Sequence, residues 1–326
     1  MSAGSVAAAV AVLTIVAGRH DHLRGQLHGL AAQTAPPALH VVASMGDPAV
    51  RTVLDEVPPA VGTRRVVVDV ALTGDDGDGD GDVQRSDGAV DLPLARARNA
   101  AAAAATELGA ELLVLLDVDC VPSPDLVATY ARAAASPVVR SAAGPSLLCG
   151  PVAYLPPHVR VTGPGDLAAL PGAAAPHGAR PAPPDGHVVL AGEDQWWLFW
   201  SLSFAVTAAD WQRFGGFCED YRGYGGEDTD VAASVRSLGG SLFWVGGAHA
   251  HHQHHPVSSP PVQHLEAIVR NGAVFRRRWG WWPMTGWLER FRADGLVDYD
   301  AAADTWSLAG PRAADPAAAT PSSSCS

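Results

Sequence analysis

The most informative segment of this sequence is residues 215–230, GGFCEDYRGYGGEDTD. Two glycine pairs enclose an acidic, aromatic loop, and apolar residues at helical spacing follow it at positions 231, 232, 235 and 238. This pattern predicts a helix that begins near Glu227 and ends at Gly239-Gly240. Glu227 and Asp228 then lie in its first turn, where the helix dipole favours carboxylates and keeps them ionised.

The residues before this helix favour ligand binding. Gly225-Gly226 carries no side chains, so a bound molecule can approach the backbone closely. An ionised carboxylate beside a glycine-floored pocket is a suitable general base for a bound hydroxyl group. Asp228 and Glu227 are therefore candidate catalytic residues. The alternative interpretation is a charged helix N-terminus that follows a turn.

A second acidic motif, Asp117-Val118-Asp119, follows an apolar strand predicted at 111–116. Side chains two positions apart in an extended chain share one side, so both carboxylates are expected to reach one hard cation or a sugar hydroxyl. Mg²⁺ or Mn²⁺ held by one or two carboxylates and completed by substrate phosphates fits this arrangement. The alternative is two acidic residues at a strand-to-loop junction.

A histidine-rich run, HAHHQHHP, occupies residues 249–256 after a strand predicted at 242–245. One or two of these imidazoles are candidates to complete a metal site. The alternative is a surface histidine cluster. The candidate histidines are His249, His251, His252, His254 and His255.

The composition of the 326-residue chain fits a folded globular protein, with 48% hydrophobic and 17% charged residues. Its formal charge of −12, without a basic run, argues against nucleic acid as a partner. All 22 basic residues are arginine, which excludes a lysine Schiff base and a P-loop lysine. Cys120, Cys149, Cys218 and Cys325 show no C-x-x-C spacing, which fits a reducing cytoplasm.

The first part of the chain has the pattern of an α/β fold. Strands are predicted at 6–16, 39–43 and 64–70, with a helix at 21–32, and this order predicts a doubly wound, mostly parallel sheet. Ligands of such sheets bind at the carboxyl ends of the strands. Further predictions are helices at 94–108, 125–135, 262–278 and 286–292, long loops at 141–192, and a buried strand or pair of strands at 196–206.

Two segments are predicted to lack regular structure. Residues 74–88 form a low-complexity loop, although Asp76, Asp78, Asp80, Gly81 and Asp87 match positions of a calcium-binding loop. No helix-loop-helix pattern flanks them, so a solvated loop is the favoured interpretation. The Ala/Pro/Ser-rich tail, 309–326, is predicted to be disordered.

Together these motifs resemble GT-A fold glycosyltransferases of family 2, in the subgroup whose second half is similar to the C-terminal region of β-1,4-galactosyltransferases. The resemblance implies one large α/β domain, with a nucleotide-sugar-binding half at 1–135 and an acceptor-binding, catalytic half at 136–308. Cys218 stands where such loops often carry Asp. The matching segments are TIVAGRHDHL (14–23), LARARNAA (94–101), LLVLLDVDCVPSPDL (112–126), FWSLSFAVTAADWQRFGGF (199–217), YRGYGGEDTDVA (221–232), HQHHP (252–256) and WGWWPMTGWLERF (279–291).

The resemblance also implies roles for individual residues. Asp228 would be the base, with Glu227 holding the acceptor sugar, and Tyr224 would stack near donor and acceptor beside Gly226. Asp119 would bind the metal, and Asp117 would contact the metal or the ribose. The metal would be completed by His252 or His255, and the nucleotide pocket would be lined by Thr14, Arg19, Asp47 and Arg98.

The implied reaction is inverting transfer of a hexose from a UDP-sugar to an acceptor hydroxyl, with Mn²⁺ or Mg²⁺ as cofactor. The acceptor is open between a small molecule, a glycan and a peptide. Two alternatives remain, a nucleotidyltransferase with a similar sheet and a non-catalytic nucleotide- or carbohydrate-binding protein. Residues 276–278, three consecutive arginines, are a candidate for peripheral membrane contact, with an exposed helix face as the alternative.

Overall fold

A computed structural model describes residues 9–72, 91–256 and 258–310. The chain folds into a mixed α/β structure with a large central sheet and helices on both faces. The strands are β1 Val10–Val16, β2 Leu39–Met45, β3 Arg64–Val70, β4 Leu112–Leu116, β5 Cys120–Pro122, β6 Ser146–Cys149, β7 Val152–Tyr154, β8 Ala175–Pro176, β9 Val188–Leu190, β10 Ser203–Thr207, β11 Ser241–Val245, β12 Ala250–His252, β13 Val297–Asp300 and β14 Thr305–Leu308.

The α-helices flank these strands in chain order, together with short 3-10 helices at Pro164–Ala169, Glu193–Leu198 and Val262–His264. They are α1 His20–Ala31, α2 Val50–Glu56, α3 Leu94–Glu107, α4 Leu126–Ala134, α5 Pro137–Arg140, α6 Leu170–Ala173, α7 Ala208–Phe214, α8 Glu227–Ser237, α9 Leu265–Trp279 and α10 Thr285–Ala293. No helix among the described residues is long and apolar enough to cross a bilayer.

The central sheet has the strand order β3-β2-β1-β4-β10-β6-β11-β9. Strands β3, β2, β1 and β4 pair in parallel, β10 runs antiparallel between β4 and β6, and β11 pairs in parallel with β6. Every residue of β1, β2 and β4 is buried, as expected for parallel strands covered by helices on both faces. This confirms the predicted α/β class. The carboxyl ends of the parallel strands β1, β4, β6 and β11 lie at one edge of the central sheet.

A second, smaller sheet has the order β5-β12-β7-β8 and lies at that edge. Its register places His252 opposite Cys120 on one side and opposite Tyr154 on the other. Cys120 directly follows Asp119, so strand pairing brings the histidine run against the D-x-D motif. Helix α1 approaches this sheet closely, because a Cβ at Gly29 would lie 2.8 Å from a side-chain atom of Val121.

Helices α8 and α9 are joined by a buried carboxylate. Asp230 in α8 accepts hydrogen bonds from the Tyr221 hydroxyl (3.1 Å), Arg278 Nε (2.7 Å) and Trp279 Nε1 (2.6 Å). Arg276 also forms an ion pair, with Asp304. Two of the three consecutive arginines therefore bind carboxylates of this chain, and membrane contact by this run stays a prediction.

Three predicted segments differ from the structure. Residues 141–192 are not simply long loops, since they contain β6, β7, β8 and β9, and β6 is a buried strand of the central sheet. Pairing with distant strands overrides the Gly/Pro-rich composition here. Residues 196–206 are not strand throughout, because Trp196 and Trp197 lie in a 3-10 helix. An apolar run of this length does not by itself distinguish helix from strand.

Smaller differences concern the ends of the chain. The first strand begins at Val10 rather than at residue 6, and residues 1–8 lie outside the described residues. The short C-terminal hairpin β13–β14 was not predicted. The calcium-loop alternative and nearly all of the predicted disordered tail fall on residues 73–90 and 311–326, which also lie outside the described part.

Candidate active site

The D-x-D motif lies where β4 ends, and the chain turns there. The backbone N–H of Cys120 donates to the carbonyl oxygen of Asp117 (2.8 Å), which closes a turn over 117–120. The sequence interpretation, in which an extended chain presents both carboxylates to one ligand, is therefore wrong in its geometry. Because of the turn, Asp117 and Asp119 have different partners.

Asp119 lies beside two imidazoles supplied by β12 and the residues after it. His252 Nε2 is 3.5 Å from Asp119 Oδ1, and His255 Nε2 is 3.5 Å from Asp119 Oδ2. One ligand atom from each of the three residues lies within 4.8 Å of the others, a spacing that suits one metal ion. Asp119 and His252 are buried, and the ring of Tyr154 stacks on His252 with centroids 4.7 Å apart.

Arg19 contacts the same carboxylate, through Nη1 and Asp119 Oδ2. Arg19 has φ 50°, a left-handed conformation that costs free energy for a residue with a Cβ and is therefore uncommon outside glycine. Although burial favours the protonated form of Asp119, the neighbouring His255, His252 and Arg19 lower its pKa to about 2. Asp119 is therefore a carboxylate at neutral pH, which a metal ligand requires.

Arg98 joins the two acidic motifs. This residue of α3 is buried, and its guanidinium donates to Asp117 Oδ1 and to Glu227 Oε1, both at 3.3 Å. The guanidinium also lies over the Phe217 ring, 4.9 Å from its centroid. Burial raises the pKa of Asp117 to about 6 against the opposing charge of Arg98. Arg98 thus holds the end of β4 and the start of α8 together.

Asp228, the candidate base, is the second residue of α8 and is partly buried. Burial and the neighbouring charge of Glu227 raise its pKa to about 7, and the hydrogen bond from the Thr229 N–H (2.8 Å) offsets only part of this shift. Desolvation therefore outweighs the effects that favour the ionised form of Asp228, and its ionisation at neutral pH stays a prediction. A base whose pKa lies near neutrality is well suited to proton transfer.

The loop before α8 is shaped by glycines and by Asn271 of α9. Gly225 and Gly226 have φ values of 102° and 92°, a region that residues with a Cβ rarely adopt. Asn271 is fully buried, and its side-chain amide donates to the carbonyl oxygens of Arg222 (3.0 Å), Tyr224 (3.3 Å) and Gly225 (3.0 Å). Sequence reasoning missed Asn271, although a polar residue in the apolar stripe of a helix is a signal for such a role.

Tyr224 is exposed at the tip of this loop. Its ring stacks on His264 (4.6 Å between centroids) and lies 6.0 Å from Trp287. These contacts form a flat aromatic surface around Tyr224, which is three residues before Glu227 and four before Asp228. Its predicted role, stacking near donor and acceptor, is not tested by these contacts and stays a prediction.

The remaining predicted pocket residues lie at the ends of β1 and β2. Asp47 Oδ2 accepts from the Gly18 N–H (2.7 Å) and contacts His20 Nε2 (2.8 Å), which fixes the turn that carries Arg19. Thr14 is fully buried, and its hydroxyl donates to Gln26 Oε1 (2.8 Å). The parts of Thr14 and Asp47 in nucleotide binding stay predictions.

Parts of this chain are similar to known proteins in sequence, and most of it is similar to solved structures in fold. A family described as "N-terminal domain of galactosyltransferase" matches residues 191–256, which include the glycine-rich loop and both histidines of the triad. Two proteins named validoxylamine A glucosyltransferase, from Streptomyces hygroscopicus subsp. jinggangensis (strain 5008) and subsp. limoneus, are each 43% identical over 44 residues. The match spans 14% of this chain and only 10% of each of those proteins.

Among solved structures, GalNAc-T7 with UDP, GalNAc and Mn²⁺ is similar with a TM-score of 0.52 and 14% sequence identity. The similarity covers 89% of this chain and 57% of that chain. The fold is thus the GT-A fold of glycosyltransferases. The predicted resemblance is confirmed at this level: a GT-A fold whose residues 191–256 form a galactosyltransferase-like region.

Proposed function

We propose that this protein is an inverting, metal-dependent glycosyltransferase that moves a hexose from a UDP-sugar to an acceptor hydroxyl, with Asp228 as the base. The observation that carries this proposal is the meeting of Asp119, His252 and His255, whose ligand atoms lie within 4.8 Å at the carboxyl edge of the sheet. In GT-A and related sheets this edge is where a nucleotide binds. The validoxylamine A glucosyltransferases, named for sugar transfer, support the reaction class.

The donor set fits a divalent cation. One carboxylate and two imidazoles suit a transition metal such as Mn²⁺ better than Mg²⁺, which prefers oxygen ligands. Within the described part of the chain, His252 Nδ1 is buried without a hydrogen-bond partner, and the His252 ring packs against Tyr154. When bound, the cation neutralises charge on the departing diphosphate.

The proposed chemistry at the acceptor uses Asp228. Its carboxylate accepts the proton of the acceptor hydroxyl, and that oxygen attacks the anomeric carbon from the face opposite the diphosphate. The bond between the anomeric carbon and the diphosphate oxygen breaks, and the electron pair leaves with UDP. Glu227, anchored by Arg98, would accept a hydrogen bond from another hydroxyl of the acceptor.

Arg19 supports binding of the diphosphate. Its side chain is 40% exposed and is already directed at Asp119, so its charge lies beside the proposed cation site. A diphosphate at this edge would give Arg19 an anionic partner and leave Asp119 free for the metal.

The first experiment is calorimetric titration of UDP, with Mn²⁺ and with EDTA, on wild type and Asp119→Ala. We expect tight binding only when both Mn²⁺ and Asp119 are present. UDP binding that requires neither Mn²⁺ nor Asp119 would overturn the assignment of the metal site. Asp185→Ala is a matched control, because Asp185 contacts His249 outside the triad.

The second experiment follows UDP release from a panel of UDP-hexoses with sugar acceptors, on wild type and Asp228→Asn. We expect release of UDP and a loss of at least about 10³-fold in kcat for Asp228→Asn, with unchanged UDP binding. Release of pyrophosphate from a nucleoside triphosphate would instead support a nucleotidyltransferase. Tight UDP binding without any turnover would support a non-catalytic binding protein.

A further inference from the structure

Arg180 is a buried cation without a hydrogen-bonded counter-ion among the described residues. The residue is 6% exposed, and its Nε, Nη1 and Nη2 atoms are all buried without a hydrogen-bond partner in the part of the chain that the structure describes. A guanidinium cannot lose its charge at ordinary pH, and buried charges in proteins are normally paired. Because no described residue accepts from this guanidinium, its donors are available to an anionic partner.

Two indole rings hold this guanidinium. The Arg180 Cζ atom lies 5.5 Å from the centroids of both Trp200 and Trp244. Stacking on aromatic rings stabilises the cation, but it leaves the in-plane N–H donors unused. Those donors form the fork that binds a carboxylate or phosphate through two parallel hydrogen bonds.

The position of Arg180 relates it to the proposed active site. Trp244 lies near the end of β11, opposite Cys149 at the end of β6, so the pair marks the carboxyl edge of the central sheet. The ring of His177, three residues before Arg180, lies 5.6 Å from the ring of Tyr154, measured between centroids. Tyr154 stacks on His252 of the metal triad. Arg180 is therefore at the same edge as the D-x-D motif.

The chain on either side of Arg180 lies at the surface. Residues 178–179 and 184–187, on either side of Arg180, are exposed, so the buried guanidinium belongs to a segment that otherwise lies at the surface. His177, three residues earlier, packs edge-on against Trp200 with centroids 4.7 Å apart. Displacement of part of this segment would expose the donors between the two indole rings.

We propose that Arg180, Trp200 and Trp244 form a subsite for an anionic group, a carboxylate or a phosphate, on the acceptor. The identification of the ligand as the acceptor rests on the proposed function, whereas anion binding at Arg180 does not. The acceptor class would then be a sugar acid, a phosphorylated sugar or another small anionic molecule, rather than a neutral sugar.

The test observes Arg180 directly. The ¹H–¹⁵N signal of its Nε group is identified by its disappearance in Arg180→Met, and wild type is titrated with inorganic phosphate, with acetate and with chloride at matched ionic strength. We expect a saturable shift of the Arg180 signal with phosphate, acetate or both, and none with chloride. The phosphate titration tests for a phosphate ligand, and the acetate titration tests for a carboxylate ligand.

Arg65 is the matched control. Its Nε is likewise buried with no partner among the described residues, but its Nη1 donates to the carbonyl oxygens of Leu54 and Val57, both at 2.8 Å. The Arg65 signal, identified with Arg65→Met, is expected to stay in place in all three titrations. An unmoved Arg180 signal, or an equal shift with chloride, would overturn the subsite.

A thermal unfolding measurement distinguishes an anion-binding role of Arg180 from a purely structural role. We expect phosphate or acetate to raise the Tm of wild type but not of Arg180→Met, and Arg180→Met to be at least as stable as wild type without the anion. A large loss of Tm in Arg180→Met with no anion effect in wild type would contradict the proposal. Neither measurement uses a sugar donor or turnover. A protein that transfers no sugar would therefore contradict the proposed function but not anion binding at Arg180.

Discussion

The side-chain amide of Asn271 donates a hydrogen bond of 3.0 Å to the carbonyl oxygen of Gly225, three residues before Asp228. The two residues are 46 positions apart in the chain, and the loop adopts positive φ angles at Gly225 and Gly226. The shape of the loop that carries the candidate base is therefore set from α9, by a residue that itself lies outside the candidate site.

We predict that Asn271→Leu lowers kcat at least about tenfold while UDP binding is retained. The substitution removes the side-chain donor of the carbonyl oxygens of Tyr224 and Gly225, which should cost about 3 kcal/mol of stability. The carbonyl oxygen of Arg222 also loses this donor but keeps the hydrogen bond from Arg270 Nη2 (2.6 Å). Urea unfolding and calorimetry measure the two effects. Gln33→Leu is the control, because it removes buried hydrogen bonds to Gly29 and Ser123 away from the loop.

The metal triad gives a second prediction. His252→Ala and His255→Ala should each weaken Mn²⁺ binding at least about tenfold, because each removes one of three ligands. His249→Ala should leave Mn²⁺ binding unchanged, since His249 contacts Asp185 instead. Calorimetric titration of Mn²⁺ in the presence of UDP measures this. Equal weakening in all three variants would mean that the histidine run binds metal non-specifically.

The raised pKa of Asp228 predicts the pH dependence of activity. Because the base must be ionised, kcat/KM should fall as the pH drops below about 7, the pKa of Asp228. An aspartate with its usual pKa of 3.8 would keep full activity down to about pH 5. A profile that is flat between pH 5 and pH 8, measured under metal-saturated conditions, would exclude Asp228 as a base in this environment.

The same shift predicts a stability effect of the opposite sign. A carboxyl group whose pKa is raised in the folded state is stabilising only when protonated, so its contribution falls as the pH rises from about 4 to about 7. Asp228→Asn should therefore stabilise the protein at pH 8 by at most about 4 kcal/mol, and the gain should vanish near pH 4. Urea unfolding at both pH values checks this, and a gain that is independent of pH would contradict it.

Arg98 gives a prediction about folding. Arg98→Met leaves Asp117 and Glu227 without their cationic partner, which should cost about 3–5 kcal/mol, because uncompensated buried charges are strongly destabilising. Arg213→Met, which removes an exposed ion pair with Asp210, should change stability by less than about 1 kcal/mol. A similar small loss in both variants would show that Arg98 does not hold the two acidic motifs together.

Much of the scaffold could be predicted from the sequence. Continuous apolar runs such as Val10–Val16 and Leu112–Leu116 gave strands buried on both faces, and the 3.6-residue pattern after Glu227 gave α8. These are local signals, because burial on both faces of a strand or on one face of a helix sets the spacing of apolar residues directly. Segments whose structure depends on distant partners, such as β6 and the 3-10 helix at Trp196, were predicted wrongly, because the spacing of apolar residues within a segment does not report those partners.

What the sequence by itself determined is the α/β class and the set of chemically capable residues, namely Asp117, Asp119, Glu227, Asp228 and the histidine run. Only the tertiary structure decided how they combine. The register of β12 against β5 brings His252 and His255 to Asp119. After the turn that follows β4, Asp117 accepts a hydrogen bond from Arg98 instead. Burial raises the pKa of Asp228. Distances between side chains from separate strands, and the desolvation of each carboxylate, are properties of the packed chain that residue spacing does not encode.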